Sequence, residues 1–136
     1  MLELYEEIKK NGTLILTDTE YHTLFQAEES PHSSLYKYIY NNRENLSGKY
    51  YIFGNQIGTA VANMVGLIDI KRIIAHKISK PGLDILKEKD IELEYNEIID
   101  LVKSSKNTNN VCSLEKLLLN IDNEEALRLM NQKYID

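Results

Sequence analysis

Apolar residues recur with two different periods along this chain, and the switches between them divide it into helices and strands. Leu4, Tyr5 and Ile8 share a helical face, which Lys9-Lys10-Asn11-Gly12 ends with basic residues and a glycine. Thr13 to Thr17 and Tyr21 to Ala27 are rich in β-formers, and the polar Asp18-Thr19-Glu20 between them predicts a hairpin loop. Glu28 to His32 reads as a loop, after which Ser33 or Ser34 caps a helix carrying Leu35, Tyr36 and Ile39. Beyond Asn45 to Gly48 a short strand, Tyr50 to Phe53, is expected.

The segment from Gly54 to Ile68 is small and apolar nearly all round, with Gly58, Ala60 and Ala62 where charges would mark a solvated face. Such a helix belongs under a sheet. Arg72 to Ser79, with the run Ile73-Ile74-Ala75, predicts an interior strand. Ser79-Lys80-Pro81-Gly82 then starts a helix that faces the core through Leu83 and Leu86 and ends over Lys87 to Asp90. Ile91 to Tyr95 alternates cleanly, as a strand covered on one face does, and Asn96 is expected to cap a helix containing Ile98, Ile99 and Val102. Ser104 to Asn110 is a polar loop. Leu114, Leu117, Leu118 and Ile121 have amphipathic helical spacing, and Asp122-x-x-Glu125 forms a capping box for a last helix with Ala126, Leu127 and Met130. With no repeat and no linker, a single domain over residues 1–136 is expected.

A hairpin followed by helix–strand alternation describes an α/β sandwich with a mixed sheet. Right-handed crossovers would set the strand ends after Phe53 and Ile78 side by side. Ligands of open α/β sheets sit at the carboxyl ends of strands, which makes Gly54–Ala60 and Ser79–Gly82 the expected pocket walls. Composition narrows the classes. The 136 residues are 43% hydrophobic, enough for one core and too many for a disordered chain. One Cys excludes an internal disulfide, and His22, His32 and His76 are too scattered for a zinc motif. The 21 acidic against 16 basic side chains disfavour nucleic acid and anionic membrane. The acidic start lacks a signal peptide's cationic region, and Ile57 to Ile70 is too short to span a bilayer, so a soluble, cytoplasmic protein is expected.

The order helix, hairpin, buried helix, strand, helix, strand resembles the cytidine deaminase-like superfamily. There the buried helix carries a His-Ala-Glu-type motif and the next helix begins Pro-Cys-x-x-Cys, the His and cysteines holding zinc and the Glu moving the proton. Here Thr59-Ala60-Val61-Ala62-Asn63 stands at the first motif, with Val61 for the ligand and Asn63 for the Glu. Ile78-Ser79-Lys80-Pro81-Gly82 stands at the second, with Ser79 and Gly82 at the cysteine positions. The chain is more closely similar to domain-of-unknown-function family 1893. That resemblance runs over nearly its whole length and rests on Gly58 to Leu67, Ile78-Ser79, Tyr95 and above all Cys112-Ser113-Leu114-Glu115-Lys116. Ser113 replaces a Pro of that run, and Gly54-Asn55 stands where an Asp-Lys pair is expected. The resemblance implies a three-layer α/β/α sandwich with a mixed central sheet and additional C-terminal helices, and neither metal nor cofactor.

Candidate chemistry follows. The helix start at Ser79, Lys80 and Gly82 offers free N–H groups and about half a positive charge, with His76 and Lys77 nearby. Asn63, a polar residue in an apolar helix, would face the pocket or bond a neighbouring loop. Cys112 precedes a helix start, the setting that favours a thiolate, and as a nucleophile would need His76 or His22 as base; otherwise it is a small buried hydrophobe. Glu115 in the first turn complements the helix dipole unless it turns into the pocket. Nine tyrosines, with Tyr36, Tyr38 and Tyr40 near Lys37 and Arg43, are explained as well by core packing as by base stacking. Tyr50 to Phe53 could form an edge that pairs in a homodimer. The leading expectation is a zinc-less deaminase-like domain, not a deaminase, that binds a small anionic or nucleotide-like ligand as a sensor or regulator. The alternatives are a zinc-independent enzyme using Cys112 and a purely structural or interaction protein.

Overall fold

The computed structural model describes residues 1–104 and 109–136. Its elements follow in the order α1 (Leu2–Asn11), β1 (Leu14–Asp18), β2 (Thr23–Ala27), α2 (Pro31–Asn42), β3 (Lys49–Ile57), α3 (Thr59–Met64), β4 (Asp69–Ser79), α4 (Lys80–Lys87), β5 (Glu92–Ile99), α5 (Ser113–Leu117) and α6 (Asn123–Tyr134). One five-stranded sheet has the order β2-β1-β3-β4-β5. The hairpin β1–β2 and the pair β1–β3 are antiparallel, whereas β3–β4 and β4–β5 are parallel.

Period-two alternation assigns the two faces of the sheet. Leu14, Leu16, Ile52, Ile73 and Ala75 join the large core beneath α2, α3 and α4, while Ile15, Phe53 and Ile74 pack against Ile8 of α1 on the other side. Helix α1 stops where the sequence says, at Gly12 in the left-handed conformation with φ 66. Helices α5 and α6 both pack against α3, and α6 also contacts α2. Among the described residues no helix is long and apolar enough to cross a membrane.

Several boundaries differ from the expectation, each for a local reason. Helix α2 starts at Pro31, not at a Ser33 or Ser34 cap, because proline suits the first turn and Ser30 turns into it with φ 43. Gly54 to Ile57 continue β3 rather than opening the buried helix, since Gly54, Gln56 and Ile57 pair with Ala75, Lys77 and Ile78 of β4. The buried helix is therefore confined to Thr59–Met64. Tyr50 to Phe53 is not an edge: β3 lies between β1 and β4. The helix expected after Asn96 is the second half of β5, where Glu97, Ile98 and Ile99 pair with Lys77, Ile78 and Ser79. An 11-residue neighbour supplies partners that β-branched residues favour. The helix through Leu114 ends at Leu117, and Asn120 turns the chain with φ 60. Of the polar loop expected over 104–110, residues 105–108 lie outside the described residues.

Candidate functional site

The parallel strands β3 and β4 each deliver the chain into a helix, so the starts of α3 and α4 meet. They meet at two glycines: a Cβ on Gly82 would lie 2.7 Å from the backbone of Gly58. Ser79 caps α4, its Oγ accepting from the Gly82 N–H at 3.2 Å, and is fully buried. The α4 start is thus closed by its own cap and by the α3 backbone.

The α3 start is occupied as well. Glu115 of α5, only 2% exposed, accepts from the Thr59 N–H at 2.6 Å and the Val102 N–H at 2.5 Å, while Thr59 Oγ1 donates to the Glu115 carbonyl. Its carboxylate sits where a Cβ on Gly58 would be 2.5 Å from Oε1, so Gly58 makes room for it. The carboxylate therefore complements the dipole of α3, a helix 56 residues upstream, as well as its own. Asn63 is also used internally. Its Nδ2 donates to the Thr59 carbonyl, and Asn123 at the start of α6 donates to both its backbone and side-chain oxygens.

The three positions compared above with zinc ligands do not fit a metal. Val61 is apolar, Gly82 has no side chain, and the Ser79 hydroxyl is engaged by the α4 backbone. Among the described residues no three His, Cys, Asp or Glu side chains gather into a metal-binding group.

The expected anion-binding set is not brought together. His76 points to the other face of the sheet, edge-on to Tyr5 of α1 at 6.3 Å, with its Nδ1 buried and unpartnered. Burial, helped by Lys77 and Lys9 and opposed by Glu97, holds its pKa below that of an ordinary histidine. Lys77 stands opposite Glu97 in the sheet, and the exposed Lys80 reaches Asp100 at 3.5 Å. His22 lies in the β1–β2 turn, bonded to Asp18 at 2.9 Å, which raises its pKa. Neither His22 nor His76 is placed to serve Cys112. The tyrosines pack: Tyr36 is fully buried, and Tyr38 stacks on Phe25 at 4.7 Å.

A cleft of about 380 Å³ opens beside this closed centre, between the start of α2, the carboxyl end of β3 and the segment leading into α5. The residues that define it are Thr13, Ser30, His32, Ser33, Asn55 and Cys112, with Glu28 and Lys103 adding one charge of each sign. Among the described residues no side chain caps α2: Ser33 Oγ donates to the Ser30 carbonyl and Ser34 Oγ to that of Glu29. His32 Nε2 bonds the Gln56 carbonyl at 2.9 Å. Burial lowers the pKa of His32 more than that bond and the Glu115 charge raise it, so the ring is neutral near pH 7.

Of the residues singled out from sequence, Cys112 and Ser113 border this cleft, as do Asn55 and Gln56 of the expected Gly54–Ala60 wall; Cys112 is half-buried, and its N–H donates to the Val102 carbonyl at 2.8 Å. His32 and Thr13 were not among them. A Pro-His-Ser-Ser run at a helix start was the available signal for His32; nothing local marks Thr13.

Comparison with known proteins adds family and fold. The family model described as "Domain of unknown function (DUF1893)" matches residues 3–134. The crystal structure of a DUF1893 family protein from Thermotoga maritima is similar with a TM-score of 0.75 and 26% identity, over 98% of this chain and 86% of that one. No curated protein matches the chain.

Proposed function

The chain belongs to the DUF1893 family, and from that premise we propose that it is a single, zinc-less domain of the cytidine deaminase-like type that binds a small anionic or nucleotide-like ligand without deaminating it. The strand order, with β1 antiparallel and β4 and β5 parallel to β3, supports the deaminase-like reading of the fold. The absence of donors at Val61 and Gly82 supports a centre without zinc chemistry.

One observation carries the ligand reading: the uncapped start of α2 opens into a polar cleft of ligand size, beside a centre already filled by Glu115. The ligand seat is accordingly the cleft at His32, Ser33 and Cys112, one step away from the Ser79–Gly82 helix start. The α2 dipole, the N–H groups of His32 and Ser33 behind Pro31, and Lys103 favour an anion there. A sensor or regulatory role follows from binding without a catalytic metal.

Thermal-shift screening of nucleotides and phosphorylated metabolites tests the reading. A ligand at 100 times its Kd stabilises by about 2.7 kcal/mol, enough for a rise of several degrees. Lys103→Glu is expected to abolish the rise. A screen with no rise, or one that Lys103→Glu leaves intact, removes the support. Metal analysis checks the other half, because stoichiometric zinc in the purified protein would contradict a zinc-less domain.

A further inference from the structure

The two edges of the sheet differ in how well they are protected. Strand β2 is five residues long, and its pairing with β1 is irregular at Leu16 and Thr17. Short length and a bulge are ordinary ways of making an edge unfit for further pairing. Strand β5 is eight residues long, holds neither proline nor lysine, and keeps an unbroken register with β4. Among the described residues no strand pairs its outer side.

Exposed apolar surface gathers at that same edge. Tyr95 is 42% and Ile98 45% exposed, as is 72% of Leu2 in α1. Leu2, Tyr5 and Ile74 form with Tyr95 the walls of a largely apolar groove of about 340 Å³ between α1 and β5. Every residue from Glu94 to Ile98 is exposed, whereas a strand covered on one face alternates.

Charge selects the occupant. Glu92, Glu94 and Glu97 would call for a basic partner if they stood alone, but β4 already supplies their cations. Arg72 reaches Glu94 at 2.6 Å and Glu92 at 3.5 Å, and Lys77 stands opposite Glu97. The edge therefore requires only a register that keeps carboxylates apart. A second copy of β5, antiparallel about a twofold axis, sets one residue opposite its own copy and thereby fixes all other pairs. Centred on Glu94 or Glu97, that pairing opposes two like carboxylates; centred on Leu93, it sets Glu92 against Glu94. Centred on Tyr95, it sets Glu92 against Ile98, Leu93 against Glu97 and Glu94 against Asn96, with the two tyrosines facing on the axis. A centre at Asn96 also spares the carboxylates but puts two amides on the axis and forgoes the aromatic pair.

We propose that two copies of this chain join their sheets through β5, antiparallel and centred on Tyr95. The α1–β5 grooves of both copies then meet across the axis, where their apolar walls leave water. The free backbone groups of each edge find partners in the other.

Sedimentation equilibrium of the full chain is expected to give twice the chain mass at micromolar concentration. Tyr95→Glu, which puts two carboxylates on the axis, is expected to weaken the dimer at least tenfold, with circular dichroism confirming that the chain is folded. Cross-linking reads the register independently. In a chain carrying Cys112→Ser, Tyr95→Cys is expected to form a disulfide-linked dimer on mild oxidation, because directly opposed side chains are close enough to bridge. Ile98→Cys is expected to stay unlinked, since its copy lies roughly 20 Å away along the paired strands. A monomer throughout the micromolar range overturns the proposal. So does a monomer that takes up an extended peptide of alternating lysine and valine, which assigns the edge to a foreign strand. A dimer that Tyr95→Glu leaves intact overturns β5 as the seam, and linkage through Ile98→Cys in place of Tyr95→Cys overturns the register.

Discussion

Glu115 shows how much a single side chain can hold together here. It is a buried carboxylate bonded by two backbone N–H groups, from Thr59 and Val102, which belong to segments 43 residues apart. Glu115→Ala leaves both donors unpaired and is expected to cost about 2–4 kcal/mol in urea unfolding. Glu115→Gln, which keeps one acceptor oxygen, should recover part of that loss; equal losses in the two variants would count against the bonds as the cause. The histidines give a pH signature. Burial lowers the pKa of both His32 and His76 in the folded chain, so between their folded values and about 6.5 the unfolded chain binds more protons. The contribution of these two histidines is then complete above about 6.5 and is lost as the pH drops through that window, opposite in sign to that of the exposed His22. His76 faces Tyr5 and Lys9 of α1, with Lys77 and Glu97 beside it, and none of them pairs its Nδ1. His76→Phe keeps an aromatic ring against Tyr5 and should give a shallower fall in the urea midpoint between pH 7.5 and 5.5. An unchanged slope would clear His76 of the effect.

At the level of single helices and strands, local signals worked where both partners of an interaction are near in sequence. The Asp122–Glu125 cap forms as read, with Asp122 accepting from the Glu125 N–H at 2.8 Å. The return half of the box does not, because Arg128 Nε holds the Glu125 carboxylate at 2.8 Å. Asp122→Ala is expected to cost about 1 kcal/mol, measured by urea unfolding, and Glu125→Ala much less. Signals failed where a distant neighbour decides. Ile98, Ile99 and Val102 fit a helix as spaced residues, but the free edge of β4 extends β5 through Ile99. In the same way β4 draws Gly54 to Ile57 into β3, which shortens the buried helix to Thr59–Met64.

Across the molecule, the C-terminal segments complete a core that the sheet and its first helices leave open. Leu114, Leu118, Ala126 and Met130 are buried in the main apolar cluster, and Glu115 closes the meeting point of α3 and α4. A chain ending at residue 111 is therefore expected to lose cooperative unfolding and to become protease-sensitive throughout. A sharp urea transition in that truncation would show α5 and α6 to be accessory. Among the described residues, the helix on the other face of the sheet is α1, through Ile8 against Ile15, Phe53 and Ile74.

The mixed sheet, the buried character of Thr59 to Met64 and the caps at Gly12, Ser79 and Asp122 were all legible in the chain. They depend on periodicity and on residues within a turn of each other, which a linear reading contains. The cleft was legible in one wall alone, Asn55 and Gln56 of the expected Gly54–Ala60 stretch. Asn63, Ser79 and Gly82 look available in sequence because a cap, a glycine and a lone amide have the same appearance whether their groups are free or bonded. Asn123, the Gly58 backbone and the α4 N–H groups use them up, and Glu115 closes the α3 start beside them. Only tertiary packing sets partners 56 and 60 residues apart against one another. That packing filled the Ser79–Gly82 site and left a cleft open at the start of α2, bordered by His32 and Cys112.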